Sequence, residues 1–440
     1  MRLLRLYGTM QKNKKGILEI GEIGVDKLVD EFDTPLIVLD EKEIRNKITE
    51  YKKGLSSYPG ESKILYASKA FANRTLYRIF KEENISLDVV SGGELYTALN
   101  ADFPAEEIFF HGNNKLASEI ELALKNNIGG FIVDNFPEAQ LLNELADKYN
   151  KNIEVMIRLT PGIAAHTHDF MVTGKVDSKF GVGIKNGDAE KLVDLISNKY
   201  QNLKLKGIHA HIGSQIYQKE GFLKLIEIMV KFMADMKNKK GITMTKLDIG
   251  GGLGIPHTED DPVIPIKKYI EEMVKKVLKE VNKYNYPLPE LLLEPGRSII
   301  GTAGTTLYEI GMIKEIENIK KYITINGGMS DNIRPSLYGA EYEAFLANKM
   351  NAEPEEEVSI AGKCCETGDI LIKDIKLPVS KRGDILAVTC TGAYTYALSN
   401  NYNGIPRPAI VLVNEGEANL IVKRESYKDL IKNDVIPAGY

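Results

Sequence analysis

From about residue 60, short apolar runs alternate with longer segments in which apolar residues recur at helical spacing. The apolar runs predict eight buried strands, at residues 63–67, 87–90, 108–110, 130–133, 153–159, 203–209, 246–249 and 291–294. The intervening patterns predict amphipathic helices, among them residues 93–100, 137–149, 189–199, 220–237 and 266–284. Alternation alone also allows an open, doubly wound sheet. Eight such units within roughly 250 residues favour a closed (β/α)8 barrel of the TIM type.

The pattern changes after residue 301, where helical periodicity thins and strand-like runs separated by Gly, Pro and Asn take over. The predicted strands are 306–313, 322–325, 357–360, 384–388, 409–413 and 418–422. An early apolar run at 36–39, after Thr34-Pro35, lies outside the eight barrel strands and could join this second sheet. We therefore predict a barrel at 45–305 and a β-rich domain from 1–44 and 306–440.

Composition narrows the class of protein. A chain of 440 residues with 43% apolar and 27% charged residues is expected to form two globular domains. The net charge of −4 gives no electrostatic case for nucleic acid, and no apolar stretch reaches membrane-spanning length. The N-terminus is too briefly apolar for a signal peptide, and three cysteines cannot form a disulfide framework. We expect a cytoplasmic protein.

Polar residues and glycines follow the predicted barrel strands, at the end where barrel enzymes build their active sites. Lys69 stands just after the first strand, where we expect it to face a crevice. Burial there would lower its pKa, and a neutral amine can form a Schiff base with a carbonyl group. The alternative is a strand-end lysine that extends its ammonium group into solvent.

Two further motifs follow the seventh and eighth strands. The glycine cluster 250–254 could cradle a phosphate, although it has the pattern of neither a Walker loop nor a dinucleotide fingerprint. In Glu294-Pro295-Gly296-Arg297, Glu294 could bond a ring N–H of an aromatic cofactor while the Gly296 amide and Arg297 bind phosphate. A simple ion pair between Glu294 and Arg297 is the alternative.

Histidine pairs occur at His209/His211 and His166/His168, but neither has an acidic or cysteine partner at zinc-site spacing, so we expect no metal. One imidazole could instead stack on an aromatic cofactor while Ser214 donates to phosphate. Residues 160–183 form a long predicted loop, a length that is often functional.

Eight short segments carry a family resemblance in a consistent order: 66–70, 88–95, 177–181, 211–215, 250–254, 294–297, 365–366 and 391–394. Together they resemble the alanine-racemase-like, fold type III, pyridoxal-phosphate decarboxylases. The resemblance implies a barrel with a β-sandwich-like second domain, and pyridoxal 5'-phosphate as the cofactor. It also implies a homodimer in which each subunit completes the active site of the other.

The resemblance also implies residue roles. Lys69 would bind the cofactor covalently, His211 would stack on its ring and Glu294 would face its nitrogen. The remaining cofactor contacts would be Ser214, Gly254, Gly296, Arg297 and, from the second domain, Tyr394. Cys365 would donate the proton and Glu366 would contact substrate, both in the partner's site. Only Cys365, not Cys364, adjoins Glu366 as the family pattern requires.

The implied reaction is amino-acid decarboxylation, which an acid at position 294 favours over racemisation. Arg334 and Tyr338 match a motif for a substrate with a second carboxylate, meso-2,6-diaminopimelate, whose decarboxylation yields L-lysine. Glu366 would take the distal amine, and Arg297 and Tyr394 would also touch substrate. Arg334 could instead be a surface salt bridge. Two alternatives stay open: a decarboxylase of this fold for ornithine, arginine, lysine or carboxynorspermidine, and a non-enzymatic pyridoxal-phosphate-binding protein.

Overall fold

The structure is a computed structural model that describes residues 4–163 and 178–440. It divides into two compact units, one of Met1–Asn46, Ile255–Val263 and Ile299–Tyr440, the other of Lys47–Gly254 and Ile264–Ser298. The segment 255–263, which we placed in the barrel, belongs to the first, β-rich unit. The reason is that the Arg5 guanidinium donates hydrogen bonds to three of its carbonyl oxygens, at 3.1–3.2 Å.

The N-terminal part of the β-rich unit begins with a small antiparallel sheet and a helix. Its elements are β1 (Gln11–Lys12), β2 (Leu18–Ile20), β3 (Ile23–Gly24), α1 (Val25–Phe32) and β4 (Leu36–Asp40), followed by α2 (Glu41–Leu55), which leads into the barrel unit. β4 is buried along its whole length, as its continuous apolar sequence predicts.

The barrel unit confirms the predicted fold. Its strands are β5 (Ser62–Ala67), β6 (Ser86–Val89), β7 (Ile108–Phe110), β8 (Gly130–Val133), β9 (Ile153–Thr160), β10 (Val182–Gly183), β11 (Leu203–His209), β12 (Lys246–Asp248) and β13 (Glu290–Leu293). All pair in parallel. β13 bonds to β5 and β9 bonds to both β8 and β11, so eight strands close into a barrel. β10 is a short addition beside β9.

Helices follow the barrel strands, as the periodicity predicts. They are α3 (Arg74–Glu82), α4 (Gly92–Leu99), α5 (Ala117–Asn126), α6 (Phe136–Lys148), α7 (Asp188–Lys199), α8 (Glu220–Lys240), α9 (Ile266–Lys283) and α10 (Arg297–Ile300). Asn73, Ser91 and Asn135 cap three of these helices by accepting backbone N–H groups. Some polar residues after the strands therefore serve helix initiation rather than chemistry. Among the described residues, no helix is long and apolar enough to cross a membrane.

The C-terminal part of the β-rich unit contains β14 (Gly304–Ile316), β15 (Lys320–Ile325), α11 (Arg334–Tyr338), β16 (Ala344–Leu346), β17 (Glu356–Ala361), β18 (Ile370–Leu377), β19 (Ile385–Val388), β20 (Ala409–Asn414), β21 (Glu417–Val422) and α12 (Tyr427–Leu430). β4 lies between β14 and β20, which confirms that the early strand joins this sheet. The sequence did not predict β16 or β18. β18 contains three charged residues, and these obscured its apolar alternation.

A buried ion pair fixes the turns after two barrel strands. Lys115 Nζ lies 2.6 Å from Glu138 Oε1 and also donates to the carbonyl oxygens of Gly112 and Ile132, at 2.9 and 2.8 Å. Glu138 Oε2 in turn accepts the N–H of Asp134. Burial raises the pKa of Glu138 despite the neighbouring ammonium group. The pair therefore joins the turns after β7 and β8 to α6.

We predict that Lys115→Met destabilises the protein by about 3–5 kcal/mol, because it leaves the Glu138 carboxylate buried without its cation. The measurement is urea unfolding followed by far-ultraviolet circular dichroism. Lys148→Met is the matched control, because its 2.8 Å pair with Glu121 lies at the surface and solvent screens it. Equal midpoint shifts for the two variants would contradict the role given to Lys115.

Candidate active site

Three buried side chains meet at the carboxyl end of the barrel strands. Glu294 follows β13, His209 ends β11 and His111 follows β7. His209 Nε2 is hydrogen-bonded to Glu294 Oε2 at 3.0 Å, and His111 Nε2 lies 2.9 Å from Glu294 Oε1. The two imidazole rings meet edge to face, with centroids 4.9 Å apart. The barrel thus surrounds one carboxyl group with two imidazoles.

These three side chains are also, among the described residues, the group whose ligand atoms are close enough to hold a metal ion. The sequence spacing did not reveal this group because its members come from three strands. Zinc bonds of about 2.0–2.1 Å would set tetrahedral ligand atoms roughly 3.3 Å apart. The observed nitrogen–oxygen distances of 2.9 and 3.0 Å are shorter than that spacing, and the 3.0 Å contact of His209 is a direct hydrogen bond. His166 and His168, the other pair considered for metal, lie outside the described residues.

Electrostatics favours an ionised Glu294. Burial by itself would raise the pKa of Glu294, but His111 and His209 outweigh it and hold this pKa well below its usual value. Burial lowers the pKa of His209 to about 4, so its ring is neutral near pH 7 and can donate its Nε2–H to the carboxylate. The site therefore contains one buried anion that can accept another N–H.

Lys69 lies in a 3-10 turn, Ser68–Ala70, directly after β5. Its side chain is exposed to solvent, whereas the adjacent Ser68 and Ala70 are buried. Its charge nevertheless acts on His211, whose pKa is lowered well below its usual value first by burial and then by Lys69. Lys69 and a neutral His211 thus share one region of the barrel mouth.

Two of the predicted phosphate-binding residues, Ser214 and Arg297, are in direct contact. Arg297 is buried, and its Nη2 donates to Ser214 Oγ at 3.1 Å. Glu294 contacts the two histidines rather than Arg297, so the alternative of a Glu294–Arg297 ion pair is wrong. Gly254 and Gly296 are both buried, and Gly296 adjoins Arg297 in the sequence. Ser214 and Arg297 form a hydrogen-bonding pair suited to an anion.

Close backbone approach explains two glycines of the 250–254 cluster. A Cβ on Gly251 would lie 1.9 Å from the carbonyl oxygen of Glu294. Gly252 has a φ of +119°, and a Cβ there would lie 2.2 Å from the carbonyl oxygen of Gly213. No side chain fits at either position, so the glycines allow the backbone of this cluster to pack directly against the backbone of Glu294 and of Gly213.

In the β-rich unit, Arg334 begins α11 and is only 4% exposed. Its Nη1 contacts the hydroxyl group of Tyr342, and its guanidinium lies over the ring of that residue. Within residues 4–163 and 178–440, Arg334 forms no ion pair with a carboxylate. The alternative of a surface salt bridge is therefore wrong. Tyr338, at the end of the same helix, is half-buried.

The cysteine loop presents one thiol and hides the other. Cys365 and Glu366 are exposed, whereas Cys364 is buried. Burial, followed by the charge of Asp369, raises the pKa of Cys364 to about 11. The Asp369 carboxylate fixes the loop by accepting the N–H of Cys364 at 2.8 Å and of Met329 at 2.7 Å.

The β-rich unit has two further notable features, a hydrogen bond and a strained backbone conformation. The Ser336 hydroxyl, on α11, donates to the carbonyl oxygen of Gly368 at 2.7 Å, so the helix that bears Arg334 is joined to the cysteine loop. Tyr394 has a φ of +60°, which costs an aromatic residue roughly 1–3 kcal/mol and is typical of functional sites. Because such a conformation persists only where neighbouring residues hold it, the surrounding structure fixes the backbone at Tyr394.

Several other buried side chains with ionisable groups lie at the ends of the barrel strands, and the sequence patterns indicated no role for them. Asp88 and Asp248 are both buried, and burial raises the pKa of each. Arg158 is also largely buried and lies 3.9 Å from Asp134. A charged residue at the end of an otherwise apolar barrel strand was the available signal. Asp177, part of one resemblance segment, lies outside the described residues.

Comparison with known families identifies the class of protein to which this chain belongs. Residues 41–301 match the family described as pyridoxal-dependent decarboxylase, pyridoxal binding domain. That match covers more than half of the 440 residues, so the chain belongs to the pyridoxal-dependent decarboxylases.

Comparison with individual proteins shows to which members of this family the chain is similar. The chain is 46% identical to diaminopimelate decarboxylase of Bacillus subtilis (strain 168) over 430 residues, 98% of each protein. It is 47% identical to that of Bacillus methanolicus over 419 residues, 95% of this chain and 97% of the relative. The crystal structure of the M. jannaschii diaminopimelate decarboxylase with L-lysine superposes with a TM-score of 0.90, at 33% identity and 98% coverage of both chains. Within its class, the chain is thus a member of the diaminopimelate decarboxylase family.

The barrel residues fit the cofactor of this family, pyridoxal phosphate. An ionised, buried Glu294 suits a pyridinium N–H, and the Arg297–Ser214 pair suits a phosphate. The neutral ring of His211 suits stacking on an aromatic system. The donor set therefore matches the two ends and the face of the cofactor.

We predict that Gly251→Ala weakens pyridoxal phosphate binding and costs about 1–3 kcal/mol of stability, because the new methyl group displaces the Glu294 backbone. Cofactor titration by absorbance and thermal unfolding measure the two effects. Gly311→Ala is the control, because a Cβ there makes only an ordinary 3.4 Å contact with Thr324. Unchanged cofactor affinity in Gly251→Ala would show that cofactor binding does not need the close contact between the Gly251 and Glu294 backbones.

Proposed function

We propose that this protein catalyses the pyridoxal-phosphate-dependent decarboxylation of meso-2,6-diaminopimelate to L-lysine and CO2, the last step of lysine biosynthesis. The observation that carries the substrate is Arg334, a buried guanidinium without a carboxylate partner among the described residues. Burying an unpaired charge costs several kcal/mol, so a bound carboxylate would remove a large penalty. Among the amino acids considered, diaminopimelate is the one with a carboxylate at its distal end.

Within the barrel, each residue has a distinct task. Lys69 would hold the cofactor covalently through its side-chain amine. His211 packs on the ring face, and Ser214, Gly254, Gly296 and Arg297 hold the phosphate. Glu294 accepts the N–H of the ring nitrogen and keeps that nitrogen protonated. The bound cofactor supplies an electron sink for the charge left on Cα when CO2 departs.

The β-rich unit supplies recognition and the returning proton. Arg334 and Tyr338 bind the distal carboxylate, Glu366 binds the distal amine, and Arg297 and Tyr394 complete the substrate contacts. Cys365 donates a proton to Cα, because its thiol is exposed on a fixed loop whereas that of Cys364 is not. We place Cys365 and Glu366 in the active site of a second subunit, in a homodimer. Their exposure on the single chain supports this arrangement.

The substrate is tested by measuring CO2 release from meso-diaminopimelate, lysine, ornithine and arginine. We expect meso-diaminopimelate to be strongly preferred, and Arg334→Ala to raise its KM roughly 30-fold or more, equivalent to about 2 kcal/mol of lost binding. Arg382→Ala, which removes an exposed arginine, is the control and should leave KM unchanged. A preference for ornithine or arginine, or an unchanged KM in Arg334→Ala, would contradict the proposal.

Proton donation is tested with the two adjacent cysteines. Cys365→Ser should lower kcat about 10²-fold or more while cofactor binding is retained, because a serine hydroxyl is a far weaker acid at this step. Cys364→Ser should leave kcat close to that of the unchanged protein, because the buried thiol has a raised pKa and no access to substrate. If Cys364→Ser were the more damaging substitution, the roles of the two thiols would have to be exchanged.

A further inference from the structure

A second carboxyl group lies in the barrel interior beside Glu294. Asp248 is the last residue of β12, in register with His209 on one neighbouring strand and Leu292 on the other. It is completely buried, at 0% exposure. Its place in the barrel sets it between the histidine that binds Glu294 and the strand from which Glu294 emerges.

The hydrogen bonds of Asp248 leave one oxygen unaccounted for. Oδ1 accepts the N–H of Gly250 at 2.8 Å. Oδ2 has no N–H or O–H donor among the described residues, and the carboxyl groups of Asp248 and Glu294 are within hydrogen-bonding reach of each other. Two ionised carboxylates in buried contact repel each other strongly, as in acid pairs that share one proton. A proton on one of the two removes this repulsion.

The surroundings decide which residue carries it. Glu294 has an imidazole Nε2 within 3.0 Å of each oxygen, whereas Asp248 receives one backbone N–H. Burial and then the charge of Glu294 raise the pKa of Asp248 well above its usual value, and the nearby Asp88 adds to this. The pKa of Glu294 is shifted in the opposite direction. The anion is thus favoured on Glu294 and the proton on Asp248.

We propose that Asp248 is a positioning residue, held as a neutral carboxylic acid that donates its proton in a hydrogen bond to Glu294. The bond would fix the orientation of the Glu294 carboxylate and keep it ionised. It would also confine the negative charge of the pair to the residue that faces the cofactor nitrogen. This last consequence rests on the proposed function of Glu294, whereas the protonation of Asp248 does not.

The first test compares Asp248→Asn with Asp248→Ala in the full-length, pyridoxal-phosphate-loaded protein. An asparagine amide retains both an acceptor for Gly250 and a donor for Glu294, as a protonated acid does. We expect Asp248→Ala to lose about tenfold or more in both kcat and cofactor affinity, and Asp248→Asn to recover most of each loss. Asp248→Asn that is as impaired as Asp248→Ala would show that an ionised carboxylate is required, and would overturn the proposal.

The second test does not use activity. An acid whose folded-state pKa is raised contributes stability that is complete below its unfolded-state pKa and is lost as pH rises. Asparagine does not titrate. The melting temperature of Asp248→Asn, relative to the unchanged protein, should therefore increase from about pH 5 to about pH 8, with or without cofactor. A flat or falling difference would overturn the proposal.

Two comparisons complete the design. Asp40→Asn is the control, because the Asp40 carboxylate is buried and accepts three hydrogen bonds, from Thr9 N, Thr9 Oγ1 and Glu43 N. It should lower the melting temperature at both pH values. Glu294→Gln separates the two hypotheses. If activity survived this change, the role of Glu294 at the cofactor would be wrong, while the pH dependence seen with Asp248→Asn would still decide the protonation of Asp248.

Discussion

The site depends on keeping one carboxyl group, that of Glu294, ionised inside a closed barrel. A buried carboxylate normally takes up a proton, because the low-dielectric interior penalises its charge. Glu294 avoids this because His111 and His209 reach its two oxygens from other strands. Their positions in turn depend on the parallel strands that close the barrel, and on glycines that allow the backbone of Glu294 to approach that of Gly251. In this region the fold therefore keeps a carboxylate ionised that burial alone would leave protonated.

The β-rich unit presents the complementary arrangement, a buried cation. Arg334 lies under the protein surface with the hydroxyl group of Tyr342 beside it. A neutral partner satisfies a donor but does not compensate the charge, so the binding of an anion is favoured. The exposed Cys365 stands on a loop that Ser336 joins to the helix of Arg334. The buried guanidinium and the exposed thiol therefore belong to two directly connected parts of the β-rich unit.

These two arrangements explain why the family combines two folds. A barrel places several strand ends around one point, which suits a cofactor that needs contacts on its ring, nitrogen and phosphate. An irregular sheet with long connections offers loops on which individual residues can be positioned for different substrates. The division also agrees with the roles proposed for Glu294 at the cofactor and for Arg334 at the substrate.

The sequence alone determined the alternation of strands and helices, the barrel, the β-rich unit and most of the residues at the strand ends. Those features follow from local hydrophobic periodicity, because the buried face of each helix or strand must be apolar at regular positions in the sequence. Only the tertiary structure showed that Glu294 pairs with His209, 85 positions away, rather than with Arg297. It alone showed that Lys69 is exposed, that Arg334 is buried and that Asp248 adjoins Glu294. Charge compensation depends on distance and burial in three dimensions, and residues brought together by barrel closure leave no periodic trace in the chain.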